Sequence, residues 1–209
     1  MANVLVIAPH ADDEVLGCGG AIQWHVEKGD TVFVVILANR VIDHSIDEDY
    51  IKKTKSIATK VANFLGVKEV FFKDLCDEKL DFSLIDLIIA IESAIEKVKP
   101  QIAYIPSKKD TNQDHRATFE ACKVALRYVN KVLAYEIVNS SKDFSPNVFL
   151  NTEKYINAKL KAVELYREEI REFPYPRSLK GVRIMSQYRG MKVYKNHVEA
   201  FELIKNVIE

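Results

Sequence analysis

Five short apolar runs, separated by longer amphipathic stretches, most narrow what this 209-residue chain can fold into. Residues 3–8 (NVLVIA), 31–37 (TVFVVIL), 69–72 (EVFF), 101–105 (QIAYI) and 131–136 (KVLAYE) are rich in β-branched and aromatic side chains. They are continuously apolar instead of alternating, as strands covered on both faces are. Between them, residues 14–28, 47–65, 83–97 and 113–128 have helical periodicity. Gly29 and Gly66 stand where a glycine ends a helix, and Pro100 stops the third segment. This alternation predicts right-handed βαβ units: an α/β fold with a Rossmann-like, mainly parallel sheet and helices on both faces. The pattern breaks over the polar, turn-rich residues 139–152. Residues 153–172, 179–189 and 196–208 then read as helices around an FPYPR interruption, a C-terminal helical appendage. The expected organisation is one domain, with a core over 1–138 and a loop and helices over 139–209.

Composition narrows the partners. Thirty Lys and Arg balance 30 Asp and Glu, so bulk charge does not direct the chain to nucleic acid or an anionic membrane. A hydrophobic fraction of 48% supports a sizeable core. Cys18, Cys76 and Cys122 are odd in number and widely spaced, which fits a reducing compartment and buried packing roles. No apolar stretch approaches the roughly 20 residues of a membrane span, and the first lacks the basic flank of a secretory signal. The chain reads as a soluble, cytoplasmic protein acting on a small molecule or glycoconjugate. Its C-terminal helices are compatible with a homo-oligomer.

In an open parallel sheet, ligands bind beyond the carboxyl ends of the strands. The first strand leads into Pro9-His10-Ala11-Asp12-Asp13-Glu14, and the fourth into Asp110-Thr-Asn112-Gln-Asp114-His115-Arg116. Two of five histidines therefore lie at strand ends beside carboxylates. Zinc takes imidazole and carboxylate ligands, and a catalytic site uses three protein ligands. His10 and Asp13 flank one strand-to-helix turn and His115 can complete the set, leaving Asp12 free to accept a proton. The same residues also read as an acidic cap on the first helix and a histidine capping the fourth.

PHADDEVLGCGG resembles the P-H-x-D-D-E signature of the LmbE/PIG-L family of zinc-dependent de-N-acetylases, and DTNQDHRATFEA resembles its second motif. The likeness runs on through Tyr135-Glu136, residues 144–149, Tyr188-Arg189-Gly190 and Glu199-Ala200-Phe201. It implies zinc, or another divalent metal, on His10, Asp13 and His115. Asp12 matches the general base, and Asp114 the acid that orients and charges the neighbouring imidazole. Asn112 stands where many members have a histidine; an amide can donate to an oxyanion but cannot deliver a proton, so Asp12 would serve as base and then acid. The implied activity is removal of an N-acetyl group from an amino sugar or its conjugate by metal-activated water. Hydrolysis of a non-sugar acylated amine or thiol conjugate, and a metal- or sugar-binding protein without turnover, are the alternatives.

Other candidates surround this core. Arg40 and His44 follow the second strand and can bind sugar hydroxyls or a phosphate, with Asp43 and Asp110 on the same rim. Gly17, Gly19 and Gly20 read as close helix–sheet packing, since GCGG is not a dinucleotide fingerprint. Arg116, His25 and His197 read as structural, and Arg189 as an ion-pair partner of Glu136. Phe173 and Tyr175 can form a sugar platform or a subunit contact.

Overall fold

The computed structural model describes residues 1–39, 41, 44–138 and 143–208. Its strands are β1 (Asn3–Ala8), β2 (Thr31–Asn39), β3 (Glu69–Cys76), β4 (Ile102–Pro106), β5 (Lys131–Tyr135), β6 (Val148–Asn151) and β7 (Val198–Asn206). They form one sheet in the order β3-β2-β1-β4-β5-β7-β6. The first five pair in parallel, whereas β7 runs antiparallel to both neighbours. The helices are α1 (Asp13–Glu27), α2 (Glu48–Leu65), α3 (Leu84–Val98), α4 (Gln113–Ala125), α5 (Ile156–Leu165) and α6 (Leu179–Met191).

Strand side chains alternate between faces, which explains the continuous apolar runs. Val4, Val6 and Ala8 pack with Val15 and Ile22 of α1, Ala58 and Val61 of α2, and Leu160 of α5. Leu5 and Ile7 face the other way, onto Leu87 and Ile91 of α3 and Phe119 of α4. Complete burial of each such side chain contributes about 1.5–3 kcal/mol. Gly66 has φ 82° at the end of α2, where its N–H returns to the carbonyls of Ala62 and Asn63. A side chain would be strained there, as the sequence signal implied.

The chain is α/β with a mostly parallel sheet and covered faces, as expected. Its tail differs in detail. Helices are present as α5 and α6, but residues 196–208 contain β7 instead of a helix, and the polar segment contains β6. Glu, Ala, Leu and Lys in VEAFELIKN favour a helix locally. The open edge of β5 overrides them, because β7 satisfies its backbone groups. Phe201 then reaches the core with its ring 5.0 Å from Tyr104. Glu199 accepts from Gly20 N and Ala21 N at 2.7 Å each and from Lys159 Nζ at 2.6 Å.

The glycines of α1 are required by this packing. A Cβ on Gly17 would lie 2.3 Å from the Tyr135 ring, and one on Gly20 would lie 2.6 Å from Thr152 Cγ2.

Candidate metal and active site

Strand order reverses between β1 and β4, which leave the sheet centre in opposite directions. At such a switch point the loops diverge and open a crevice at the carboxyl ends of the strands. The loop after β1 carries His10, Asp12 and Asp13, and the loop after β4 carries Asp110 to His115. The fold thus joins segments a hundred residues apart. His10, Asp12, Asp13, Asp110, Asp114 and His115 are all buried.

Each imidazole uses one nitrogen on a carboxylate and turns the other toward Asp13. His10 Nε2 lies 3.0 Å from Asp114 Oδ2 and 2.8 Å from Asp77 Oδ1, while its Nδ1 is 3.3 Å from Asp13 Oδ2. His115 Nδ1 meets Asp110 Oδ2 at 2.9 Å, and its Nε2 is 3.1 Å from Asp13 Oδ2. For the neutral rings these partners favour opposite tautomers, Nε2–H on His10 and Nδ1–H on His115. Burial alone would depress both imidazoles. In His10 the hydrogen bonds to Asp114, Asp13 and Asp77 overcome it and hold the ring well above its usual range. The Asp13 charge and the Asp110 hydrogen bond push His115 up to about 9. Burial opposes ionisation of Asp13 too, but the two histidines hold its carboxyl well below the usual range.

Two sets of donor atoms lie close enough to share a cation: His10, Asp13 and His115, and His10, Asp77 and Asp114. The first set fits better. Asp114 already accepts from Glu78 N at 2.8 Å and Leu80 N at 3.1 Å, besides His10. By contrast, Asp13 Oδ1 is buried with no hydrogen-bond partner among the described residues, and His115 Nε2, also buried, has only its 3.1 Å approach to Asp13 Oδ2. Orphaned atoms of this kind are costly unless something binds them. Charge agrees. A divalent cation carries the same charge as the two protons that hold the imidazoles among Asp13, Asp77, Asp110 and Asp114.

Asp12 lies beside this set in a conformation few side chains adopt, with φ 114° and ψ −29°. Such strain costs about 1–3 kcal/mol and is retained where the surroundings enforce it. Here Glu14 Oε2 accepts from Asp12 N at 3.0 Å, and Tyr166 OH donates to Glu14 Oε1 at 2.6 Å. Burial pushes the Glu14 carboxyl up to about 7. Arg177 Nη1 approaches Asp12 Oδ2 at 3.6 Å.

The remaining expectations sort as follows. Asn112 caps α4: its Oδ1 accepts from Asp114 N at 2.8 Å, so only its amide nitrogen is available as a donor. Asp114 partners His10 instead of the adjacent His115, and Asp110, expected on the rim, takes the His115 side. His44 is exposed, with Nδ1 2.5 Å from Glu78 Oε2, on the segment whose backbone donates to Asp114. Arg40 and Asp43 lie outside the described residues. Arg116 donates to the carbonyls of Asp110 and Thr111, anchoring the loop. His25, between Asp30 and Tyr104, and His197, on Ser186, lie outside the cluster. Arg189 pairs with Glu136 through two 2.6 Å contacts. Phe173 and Tyr175 carry Lys180 and Arg171 over their rings at 4.4 and 5.4 Å.

Asp77 was missed because the third apolar run ends at Phe72, whereas β3 continues to Cys76 and makes Asp77 a strand-end residue. Arg177 and Tyr166 carry no local signal, since only folding of the tail brings them to Asp12 and Glu14.

The family model for PIG-L, described as GlcNAc-PI de-N-acetylase, matches residues 5–126. The protein named uncharacterized deacetylase YaiS in Escherichia coli (strain K12) is 29% identical over 173 residues, covering 79% of this chain and 90% of its own. The solved N,N'-diacetylchitobiose deacetylase from Pyrococcus horikoshii superposes with a TM-score of 0.82 at 20% identity, over 97% of this chain and 84% of its own. GalB, the 4-carboxy-2-hydroxymuconate hydratase of Pseudomonas putida KT2440, superposes with a TM-score of 0.80 at 19% identity, over 100% and 98%. Two different reactions on one fold mean that the fold alone does not name the chemistry. No helix among the described residues is long and apolar enough to cross a membrane.

Proposed function

The chain belongs to the PIG-L de-N-acetylase family, and from that premise we propose that it is a metal-dependent hydrolase removing the N-acetyl group from an amino sugar or its glycoconjugate. The observation that carries the reading is the pair of buried imidazoles, each held through one nitrogen by a carboxylate and presenting His10 Nδ1 and His115 Nε2 to Asp13. These three residues would hold the cation, with zinc favoured by the imidazole–carboxylate donor set. When bound, such an ion supplies Lewis acidity for the acetamide carbonyl and makes water more acidic.

The chain's own groups supply the rest. Asp12 takes the proton of the attacking water and returns it to the departing amine, so one carboxylate serves as base and then acid. Its backbone is fixed by Glu14 and its carboxylate is steadied by Arg177. Asp114 and Asp110 orient the imidazoles. The amide nitrogen of Asn112 is the donor available to the developing oxyanion, because its oxygen is committed to the α4 cap. Arg40 and His44 are proposed to contact the sugar.

The test is acetate release from N-acetylglucosamine, N,N'-diacetylchitobiose and nucleotide- and lipid-linked N-acetylhexosamines, using protein stripped by chelator and reloaded with zinc. Zinc-dependent release from at least one amino sugar is expected. Release untouched by chelation, or from none of them, refutes the reading. Cleavage confined to a non-sugar amide or thiol conjugate moves the assignment to that alternative, and sugar affinity without turnover identifies a binding protein.

A further inference from the structure

The interior of α1 is gripped from the side by two charged residues of the tail. Glu199 of β7 accepts from Gly20 N and Ala21 N at 2.7 Å each, through different carboxylate oxygens. Lys159 of α5 donates to the Leu16 carbonyl at 2.8 Å and to Glu199 Oε1 at 2.6 Å. In a regular helix the N–H of Gly20 would serve the carbonyl of Leu16. The Lys159–Glu199 pair therefore bridges the acceptor and the donor of a single rung of α1. Side chains that enter the ladder in this way bend helices. Their entry depends on glycine: a Cβ on Gly19 would lie 2.9 Å from Lys159 Cγ, and one on Gly20 would lie 3.1 Å from Glu199 Cδ. Lys159 and Glu199 are each 5% exposed. Replacing a buried ion pair by apolar residues is often neutral for stability, so fastening the tail to the core does not by itself account for this one.

We propose that Lys159 and Glu199 are positioning residues: they set the course of α1 between Leu16 and Gly20, and through it hold Asp12 and Asp13 in register with His10 and His115. The inference rests on the deacetylase reading and adds the residues that keep its base in place. The link is short. The Leu16 carbonyl is held by Lys159, and the Leu16 N–H donates to the Asp12 carbonyl at 2.9 Å, so one helical turn joins the clamp to Asp12. Packing restrains this part of α1 on one side, where Gly17 meets the Tyr135 ring. On another side lies a recess of about 30 Å³, bordered by Leu16 and Gly17 and by the Lys159–Glu199 and Glu136–Arg189 pairs. Close packing fixes a helix through its contacts, and a void removes those on the side it occupies. The polar clamp supplies the restraint there. Without it, Gly20 N and Ala21 N can return to the carbonyls of Leu16 and Gly17. The helix then regains a regular course, and its first turn shifts.

Lys159→Met combined with Glu199→Leu tests this, because the double variant removes the clamp without leaving a buried charge. It should fold, read by Tm, yet bind zinc about tenfold more weakly in chelator competition, since Asp13 shares the displaced turn. Its kcat for acetate release, counted per bound zinc, should fall about 10–100-fold with KM little changed, as a misplaced base lowers turnover without loosening sugar contacts. Glu199→Gln keeps the volume and one acceptor oxygen, and should lose less in both readouts. A folded double variant that matches wild type in zinc affinity and in kcat overturns the proposal. If the double variant does not fold, Glu199→Gln decides by the same criterion. A wild type that releases no acetate refutes the function alone, and zinc affinity then decides the clamp.

Discussion

Replacing Asp110 by Ala tests whether the geometry around His115 is a metal-binding geometry. The carboxylate accepts from His115 Nδ1 at 2.9 Å and from Asn112 N at 2.9 Å, and is 3% exposed. Its removal frees the imidazole to rotate and to adopt the tautomer with Nε2 protonated, which cannot bind a cation. Partners that orient a ligand in this way are worth about 10–100-fold in metal affinity, or about 1.4–2.8 kcal/mol. One effect opposes the loss. His115 is held up to about 9, so below that pH a cation must displace a proton from it. Removing Asp110 lowers this proton affinity and masks part of the loss near neutrality. Zinc affinity should therefore be measured by chelator competition at pH 7 and pH 9.5, with a 10–100-fold weakening at the higher pH and a smaller one at the lower. Asp110→Asn keeps one acceptor oxygen and should recover part of the affinity. Equal affinity of Asp110→Ala and wild type at pH 9.5 would refute the assignment of His115 Nε2 as a ligand atom.

Three further outcomes follow from the same geometry. Asp12→Asn should retain zinc within a few-fold, by metal analysis, and lose about 10²–10⁴-fold in kcat, the usual worth of a general base. An active variant sinks that role. Glu14→Gln should stabilise the metal-free protein at pH 8 but not at pH 5. Burial raises the folded-state carboxyl to about 7 from 4.5, so its stabilising contribution is complete below 4.5 and is lost as pH rises through 7. The penalty above pH 7 is roughly 3 kcal/mol at about 1.4 kcal/mol per unit, read as a Tm difference that shrinks with falling pH. Arg189→Met should cost about 3–5 kcal/mol in denaturant unfolding by leaving Glu136 buried and unpaired, whereas replacing both partners by apolar residues should cost less. Equal losses in the single and double variants would contradict that view.

Legibility in the sequence followed the range of the forces involved. The meeting of His10, Asp13 and His115 was legible because strand ends are marked locally by the end of an apolar run, and a parallel sheet brings its strand ends to one edge. The two imidazoles share that edge with their ring centroids 5.4 Å apart. Partner assignment was less accessible. Asp114 adjoins His115 in sequence, yet the first turn of α4 directs it to His10 and leaves His115 to Asp110. Asn112 reads as a hydrogen-bond donor in the motif, and in the fold its oxygen also caps α4. The tail misled for another reason: VEAFELIKN has the composition of a helix, and nothing within it records that β5 offers an open edge.

The sequence by itself determined the α/β class, the parallel core and the two loops that meet in the candidate site, because apolar periodicity, helix-stopping glycines and strand-end motifs act over a few residues. Only the tertiary structure decided which carboxylate serves which imidazole, that β7 completes the sheet, and that Tyr166 and Arg177 close over Glu14 and Asp12. Those pairings join residues up to 165 positions apart. Their energies depend on burial and on atomic separations that the chain acquires only when its core has formed.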